Sequence, residues 1–281
     1  MKRLHFLLFF SVIIFLGIIF LLPKRVIKET NTPKSTPSST PTPSPSPTPR
    51  PLTFSEMNAL YGPCIRMPVL MYHHIQGLNE AKEKSQTSIT VTPEYFRIQM
   101  QYLKDKGYIV VSASDLVAFF DHAVAPSAKP ILITFDDAYE DFYGNAYPVL
   151  KEFGYKAVVF VPTGLTNNPG YLSWDQINEM NSSGISFANH TWSHKNVAVS
   201  QEVLEREIST ADLQLSERGL NTSKIFSYPY GLDNQRAISF LEKLNYKLAF
   251  TTRYGSIQCI KQRLDLPRVR IGNTGLDFYG F

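Results

Sequence analysis

The chain of 281 residues carries 28 Lys and Arg against 24 Asp and Glu, a formal net charge of +4 with neutral histidines. Seven of those basic residues and a single acidic one fall in residues 1–50, so 51–281 is slightly acidic, with 21 basic and 23 acidic residues. That distribution excludes a nucleic-acid-binding surface for the folded part, while 43% hydrophobic and 13% aromatic residues supply a sizeable core.

Residues 4–22 form an almost unbroken apolar run, interrupted by His5, Ser11 and Gly17, close to the ~20 residues a helix needs to cross a bilayer. Lys2 and Arg3 precede it and Lys24, Arg25 and Lys28 follow, so loop charge leaves the orientation open. The run ends Phe20-Leu21-Leu22-Pro23, with no small-x-small cleavage site. Residues 1–28 are therefore expected to be an uncleaved signal anchor in the cell membrane, with a cleaved signal and a secreted chain as the alternative. Residues 29–53 read as a Pro/Ser/Thr-rich linker, with proline at 33, 37, 41, 43, 45, 47, 49 and 51. Such a stretch has no apolar side chains to bury and extends as a polyproline-like spacer. Residues 54–281 read as one globular domain. Cys64 and Cys259 are expected to form a bridge joining its start to its end, as suits an exported chain; two separate buried thiols are the alternative.

Within the domain, 69–72 reads as a buried strand. Thr92-Pro93-Glu94 is a helix start, followed by Phe96, Met100 and Leu103 at helical spacing and stopped near Gly107. A short strand at 109–111 and a short helix at 115–120 lead to a strong buried strand at 131–135. A helix is expected over 138–153, with Pro148 as a possible kink and Gly154 as its stop. Further strands are expected at 157–161, 185–188, 225–228 and 248–251. Helices are expected at 174–180, 200–218 and 234–244. Strands alternating with helices imply a parallel sheet covered by helices, and six or seven such units suit a (β/α) barrel. A doubly wound open sheet is the alternative.

The residues able to carry chemistry follow predicted strands, where α/β folds gather their sites. Asp136-Asp137 follows the strand at 131–135; adjacent carboxylates there are costly to bury without a cation. His190-Thr191-Trp192-Ser193-His194 follows the strand at 185–188. Histidines at i and i+4 share one face of a helical turn and can reach one metal. With Asp137 they make a two-imidazole, one-carboxylate set that leaves a position open for water, as in hydrolytic zinc sites. Met71-Tyr72-His73-His74 ends the first strand and offers a general acid. Ser227-Tyr228-Pro229-Tyr230-Gly231 is a turn able to present a backbone N–H to an oxyanion.

Thr134-Phe135-Asp136-Asp137, His190-Thr191-Trp192-Ser193-His194 and Tyr228-Pro229-Tyr230-Gly231, in that order and each after a strand, resemble the successive motifs of the polysaccharide deacetylases, the NodB homology domain of carbohydrate esterase family 4. The resemblance spans about 69–275. It implies an α/β fold, a distorted (β/α) barrel with about seven parallel strands. It further implies Asp136 as general base, Asp137, His190 and His194 as ligands of a divalent metal, and Tyr230 as oxyanion donor. The ion would be zinc by default, with cobalt, nickel or iron also fitting.

Two departures stand out. The arginine that usually opens the third motif is absent, with Ser227 and Tyr228 before the proline; Arg268, in a late strand, is the substitute expected to orient the base. The usual C-terminal Leu-x-His is also absent, since no histidine follows His194. Leu70-Met71-Tyr72-His73 instead resembles the permuted branch of the family, that of the poly-β-1,6-N-acetylglucosamine deacetylases. That implies His73 as general acid, with His74 as the second choice. Tyr230, Pro229, Tyr72 and Trp192 are the expected sugar-facing residues. The implied reaction removes N-acetyl groups, as acetate, from an N-acetylglucosamine polymer of the envelope or matrix. The expected partners are that polysaccharide and, through the N-terminal helix, the membrane. A non-catalytic metal-holding glycan-binding domain, an O-acetyl esterase of the xylan type and an unrelated metal-dependent amidase or peptidase are the alternatives.

Overall fold

The computed structural model describes residues 50–281. The apolar run at 4–22 and nearly all of the proline-rich stretch lie outside the described residues. Among those described, no helix is long and apolar enough to cross a membrane.

The chain enters through helix α1 (Phe54–Tyr61), whose capping box pairs Thr53 with Glu56. Strand β1 (Cys64–Arg66) follows, then the fully buried β2 (Val69–Tyr72). A small excursion of β3 (His74–Ile75), α2 (Leu78–Glu83) and β4 (Thr90–Val91) leads to α3 (Pro93–Asp105). Thr92 caps α3 and Pro93 opens it, where a missing N–H costs nothing. Next come β5 (Ile109–Val110), α4 (Ala113–His122), β6 (Pro130–Phe135), α5 (Tyr147–Phe153), β7 (Ala157–Val161), α6 (Trp174–Asn181) and β8 (Ile185–Asn189). The remaining elements are α7 (Gln201–Ser216), β9 (Ile225–Ser227), α8 (Gln235–Lys243), β10 (Leu248–Tyr254), β11 (Ile257–Cys259) and β12 (Leu266–Arg270).

Seven parallel strands run β2-β12-β10-β9-β8-β7-β6, and β6 pairs back to β2, closing a barrel with helices outside it. The expected distorted (β/α) barrel is thus observed, and the open sheet is not. Strand β2 is the closure. It sits between β6, with Tyr72 opposite Phe135, and the last strand β12, with Met71 opposite Arg270. The first, second and last barrel strands in chain order therefore meet at one seam.

The unbroken apolar runs arise because these strands are buried on both faces. Val69, Leu132, Val158, Phe160, Leu248, Phe250 and Leu266 pack together in one cluster. The alternating residues Leu70, Ile131, Ile133, Phe135, Val159 and Val161 join the helices in another. This period of two sorts each strand into barrel-facing and helix-facing residues.

The helix expected over 138–153 is shorter and differently built. Asp137 and Ala138 have left-handed backbones (φ 72° and 53°), so no helix can start there. One wide π turn over Phe142–Ala146 precedes α5, and Pro148 lies in the first turn of that helix. Proline donates no hydrogen bond to the preceding turn, so a regular α-helix cannot run through it unbroken. Strands β1, β3, β4 and β11 and helices α1 and α2 are too short to show a periodicity.

Cys64 and Cys259 are directly opposite each other in the antiparallel β1–β11 pair and are bridged. Of the two expectations for these thiols, the bridge is the one observed. It closes a loop of 195 residues, so its loss frees much chain entropy in the unfolded state. Replacing both cysteines by serine is expected to lower the unfolding free energy by about 2–5 kcal/mol. Denaturant unfolding of wild type and variant, each without reductant, measures this; equal midpoints would contradict it.

Candidate active site

The site is built at the carboxyl ends of β2, β6, β8, β9 and β12. Because Tyr72 and Phe135 are register partners, the residues after them, His73 and Asp136, leave adjacent strands at one level. The Asp136 N–H also donates to the Tyr72 carbonyl at 2.9 Å. The side chain of Asp136, 3% exposed, meets Arg268 from β12. Two guanidinium nitrogens donate to its two carboxylate oxygens at 2.7 and 2.6 Å. Arg268 also donates to the Thr251 carbonyl, the Thr134 hydroxyl and the Ser227 hydroxyl, at 2.9, 3.2 and 2.9 Å. Its guanidinium carbon stands 5.6 Å from the ring centre of Phe160. This arginine, wholly buried, spends all its chemistry inside the barrel. Ser227, at the position where the family usually has arginine, accepts one of its protons.

Burial pushes the Asp136 pKa upward, but the Arg268 charge and hydrogen bonds, with lesser help from His190 and His73, outweigh it. The net result is below the ordinary carboxylate value, and Asp136 stays ionised.

Asp137 turns the other way on its left-handed backbone. Its Oδ1 lies 3.2 Å from His190 Nε2 and 2.9 Å from His194 Nε2. One ligand atom from each of the three residues falls within 4.8 Å of the others. The expected helical turn between the histidines is not what joins them. Residues 190–194 form a loop in which Thr191 (φ 66°) and His194 (φ 58°) are left-handed. Two reversals, rather than helical spacing, bring both rings to Asp137.

The set fits a cation. His190, 1% exposed, has its Nδ1 2.7 Å from the Ser227 carbonyl, so Nδ1 carries the proton that this acceptor requires. Its Nε2 lone pair then faces a carboxylate oxygen that is buried and has no hydrogen-bond donor. Acceptor against acceptor at that distance is repulsive unless a positive charge lies between them. Protonating His190 twice would bury an imidazolium, whereas a single divalent ion satisfies all three groups. A backbone carbonyl orienting a ligating imidazole is also the usual support of such a site.

His73 lines the same pocket, of about 350 Å³, with Asp136, Asp137, His190, His194, Tyr230, Tyr139, Ile89, Thr252 and Arg270. Burial lowers the His73 pKa to about 4, against the opposing pull of Asp136 and Asp137. His74 points elsewhere. Its Nδ1 is 2.5 Å from Asp141, and its ring stacks on Tyr139. Tyr230 is left-handed (φ 61°) and 64% exposed, its ring edge-on to His194 at 4.8 Å.

Three expected sugar-facing residues stand differently. Tyr72 is wholly buried, donates its hydroxyl to Gln99 and packs on Phe96 and Phe135; it is a core residue, because β2 turns it toward the helices. Pro229 is buried beneath the turn that presents Tyr230. Trp192 is 38% exposed, but its indole packs where a side chain on Gly164 would stand, outside the pocket lining. Tyr139, Thr252 and Arg270 are pocket residues that the sequence reading missed. Two spacings could have marked a pair of them: Tyr139 lies two residues beyond Asp137, and Arg270 two beyond Arg268 on one strand.

The family described as Polysaccharide deacetylase has a sequence model that matches residues 123–249. The Bacillus subtilis protein YxkH is 31% identical over 216 residues, 76% of this chain and 75% of its own length. The poly-β-1,6-N-acetyl-D-glucosamine N-deacetylase of Staphylococcus epidermidis is 27% identical over 218 residues, 72% of this chain and 73% of its own. Among solved structures, the Streptococcus pyogenes deacetylase PplD in complex with acetate superposes with a TM-score of 0.69. The two are 34% identical, over 74% of this chain and 92% of that one.

The buried pair makes a pH-dependent prediction. Asp136 has a folded pKa below its ordinary 3.8. Its stabilising contribution is therefore complete above that value and lost as pH falls through the lower folded one. In Arg268→Met the buried carboxyl loses its cation, its pKa rises above the ordinary value, and its contribution is lost as pH rises instead. The variant is expected to be about 3–5 kcal/mol less stable at pH 7, with a smaller deficit near pH 3. Unfolding curves across that range test this; a pH-independent deficit would count against it.

Proposed function

The chain belongs to the polysaccharide deacetylase family, and from that membership we propose that it hydrolyses N-acetyl groups from an N-acetylglucosamine polymer with the help of a divalent cation. One observation carries the reading. A carboxylate held ionised by a buried arginine, a cluster of two imidazoles and a carboxylate able to hold a cation, and an imidazole on the neighbouring strand all face one pocket. A binding domain without catalysis would have no use for Asp136 and His73 in that pocket.

Asp137, His190 and His194 would hold the ion, and zinc suits two imidazoles and a carboxylate. When bound, such an ion supplies Lewis acidity to a carbonyl oxygen and lowers the pKa of water. The chain's own groups divide the proton traffic. Asp136, aligned by both arms of Arg268, takes a proton from the attacking water as its oxygen bonds to the acetyl carbon. The Tyr230 N–H, carried on a left-handed turn, donates to the oxygen that becomes negative. His73, kept neutral at neutral pH by burial, gains proton affinity as that charge builds beside it. It takes up the proton that Asp136 received from the water and delivers it to the sugar nitrogen as the C–N bond breaks, which leaves acetate and a free amine and returns Asp136 to its ionised form.

The sugar polymer is inferred from the relatives. The poly-β-1,6-linked substrate named for the Staphylococcus epidermidis protein is the first to test, and exposed Tyr230 offers a face for a sugar ring. The disulfide suits an oxidising compartment. With the apolar run at 4–22 and the proline-rich spacer, it supports a domain displayed outside the cytoplasm on a membrane anchor. There it would act on an envelope or matrix glycan.

Acetate release from β-1,6-linked and β-1,4-linked N-acetylglucosamine oligomers and from acetylated xylan, with and without a chelator, tests substrate and metal together. Release from the β-1,6 oligomers that stops with chelator and returns with zinc is expected. Release from xylan alone, or release indifferent to chelator, would overturn the reading. Asp136→Asn should abolish turnover while still binding zinc, and His73→Ala should lower kcat by about 10²–10⁴-fold. His74→Ala should leave kcat within a few-fold, because that ring serves Asp141 and Tyr139. A His74 variant as impaired as the His73 variant would reverse the assignment of the acid.

A further inference from the structure

Helix α7 runs behind the 190–194 loop and carries a carboxylate inward. Glu207 is 2% exposed, and among the described residues no basic side chain stands within ion-pairing distance of it. Both its oxygens are engaged by one residue. The Ser193 N–H donates to Oε2 at 2.8 Å and the Ser193 hydroxyl to Oε1 at 2.7 Å. A buried charge without a cation is expensive, and this one is spent on the residue that immediately precedes a ligand histidine.

The rest of the loop shows why it is placed there. Its first half is fixed by other groups. The Thr191 N–H donates to Asn189 Oδ1 at 2.8 Å, and Thr163 and Gly164 N–H groups bond the Thr191 and Trp192 carbonyls at 3.2 and 2.7 Å. Asn189 in turn donates to the Ile208 carbonyl of α7 at 3.1 Å. His190 leaves the end of β8 and is steadied by Ser227. His194 has no such support: it is itself the second left-handed residue of the loop, and its side chain is 22% exposed.

We propose that Glu207 is a positioning residue for the metal centre, acting through Ser193 to fix where the His194 imidazole stands. Helix α7 thereby splints the ligand loop at both ends, by the Ile208 carbonyl at Asn189 and by the Glu207 carboxylate at Ser193. This rests on the reading of Asp137, His190 and His194 as the cation's ligands. It predicts that the carboxylate's geometry matters and its charge does not. A glutamine at 207 can accept from the Ser193 N–H and donate to its hydroxyl, whereas an alanine can do neither.

The test is the zinc dissociation constant of the full chain, by competition with a chromogenic chelator, together with the melting temperature of each metal-free variant. His194→Ala serves as the ligand control. Glu207→Ala is expected to bind zinc about 10–100-fold more weakly than wild type, Ser193→Ala to weaken it in the same direction, and Glu207→Gln to stay within a few-fold of wild type. If Glu207→Ala and Ser193→Ala melt lower but bind zinc like wild type, Glu207 merely glues helix to loop and the proposal fails. If Glu207→Ala does not fold, Ser193→Ala with unchanged zinc affinity overturns it alone. If wild type and His194→Ala bind zinc equally, the ligand assignment itself falls, an outcome distinct from failure of the Glu207 role.

Discussion

A guanidinium and a carboxylate sealed inside a barrel can remain charged only as a pair, and that constraint ties the last strand of the barrel, β12, to its second, β6. Arg268 reaches Asp136 with both arms and uses its remaining donors on Thr251, Thr134 and Ser227. The aromatic rings of Phe160 and Phe250 stand beside the guanidinium. Removing either partner would strand an unpaired ion in an apolar interior, which is far costlier than losing a surface salt bridge. The pair thus sets the direction of the Asp136 carboxylate, its ionisation, and the register of β12 against the closing seam.

Backbone conformations that ordinary residues avoid complete the site. Asp137, Ala138, Thr191, His194 and Tyr230 all have positive φ, and all lie in the loops that present the pocket groups. Such conformations cost free energy and persist where the surroundings fix them. Here the surroundings are specific: an α7 carboxylate on Ser193, an asparagine on Thr191 and a carbonyl on His190. The same logic separates the two adjacent histidines. His73 leaves β2 into the pocket lining, while His74, one residue on, is absent from that lining and is held by Asp141 and by stacking on Tyr139.

Much of the fold was legible because most barrel strands are apolar runs flanked by helical periodicity and a cap, as with Thr92 before α3 and Ser173 before α6, whereas β12, with Pro267, Arg268 and Arg270, is not. Asp137, His190 and His194 were legible as a candidate ligand set through their positions beside strands and through family resemblance, and Arg268 as a substitute for the motif arginine that is absent. The wide turn ahead of α5 was not, because Pro148 and the two left-handed residues near Asp137 act against a helical pattern that the side chains otherwise support. Tyr72 was misread for a related reason. A four-residue strand buried on both faces carries no alternation to say which side chain faces the pocket and which the helices.

By itself the sequence determined the order of most of the barrel strands and of the longer helices between them, the chemistry available at their ends, and the apolar run and spacer that precede the domain. Those are local properties, set by side-chain type and short spacings. Only the tertiary structure decided that β2 closes the barrel between β6 and β12, that His73 rather than His74 faces the pocket, and that Glu207 grips the loop before His194. Each of these joins residues from separate elements, through strand register or a side chain crossing from a helix. Neither leaves a periodic trace along the chain.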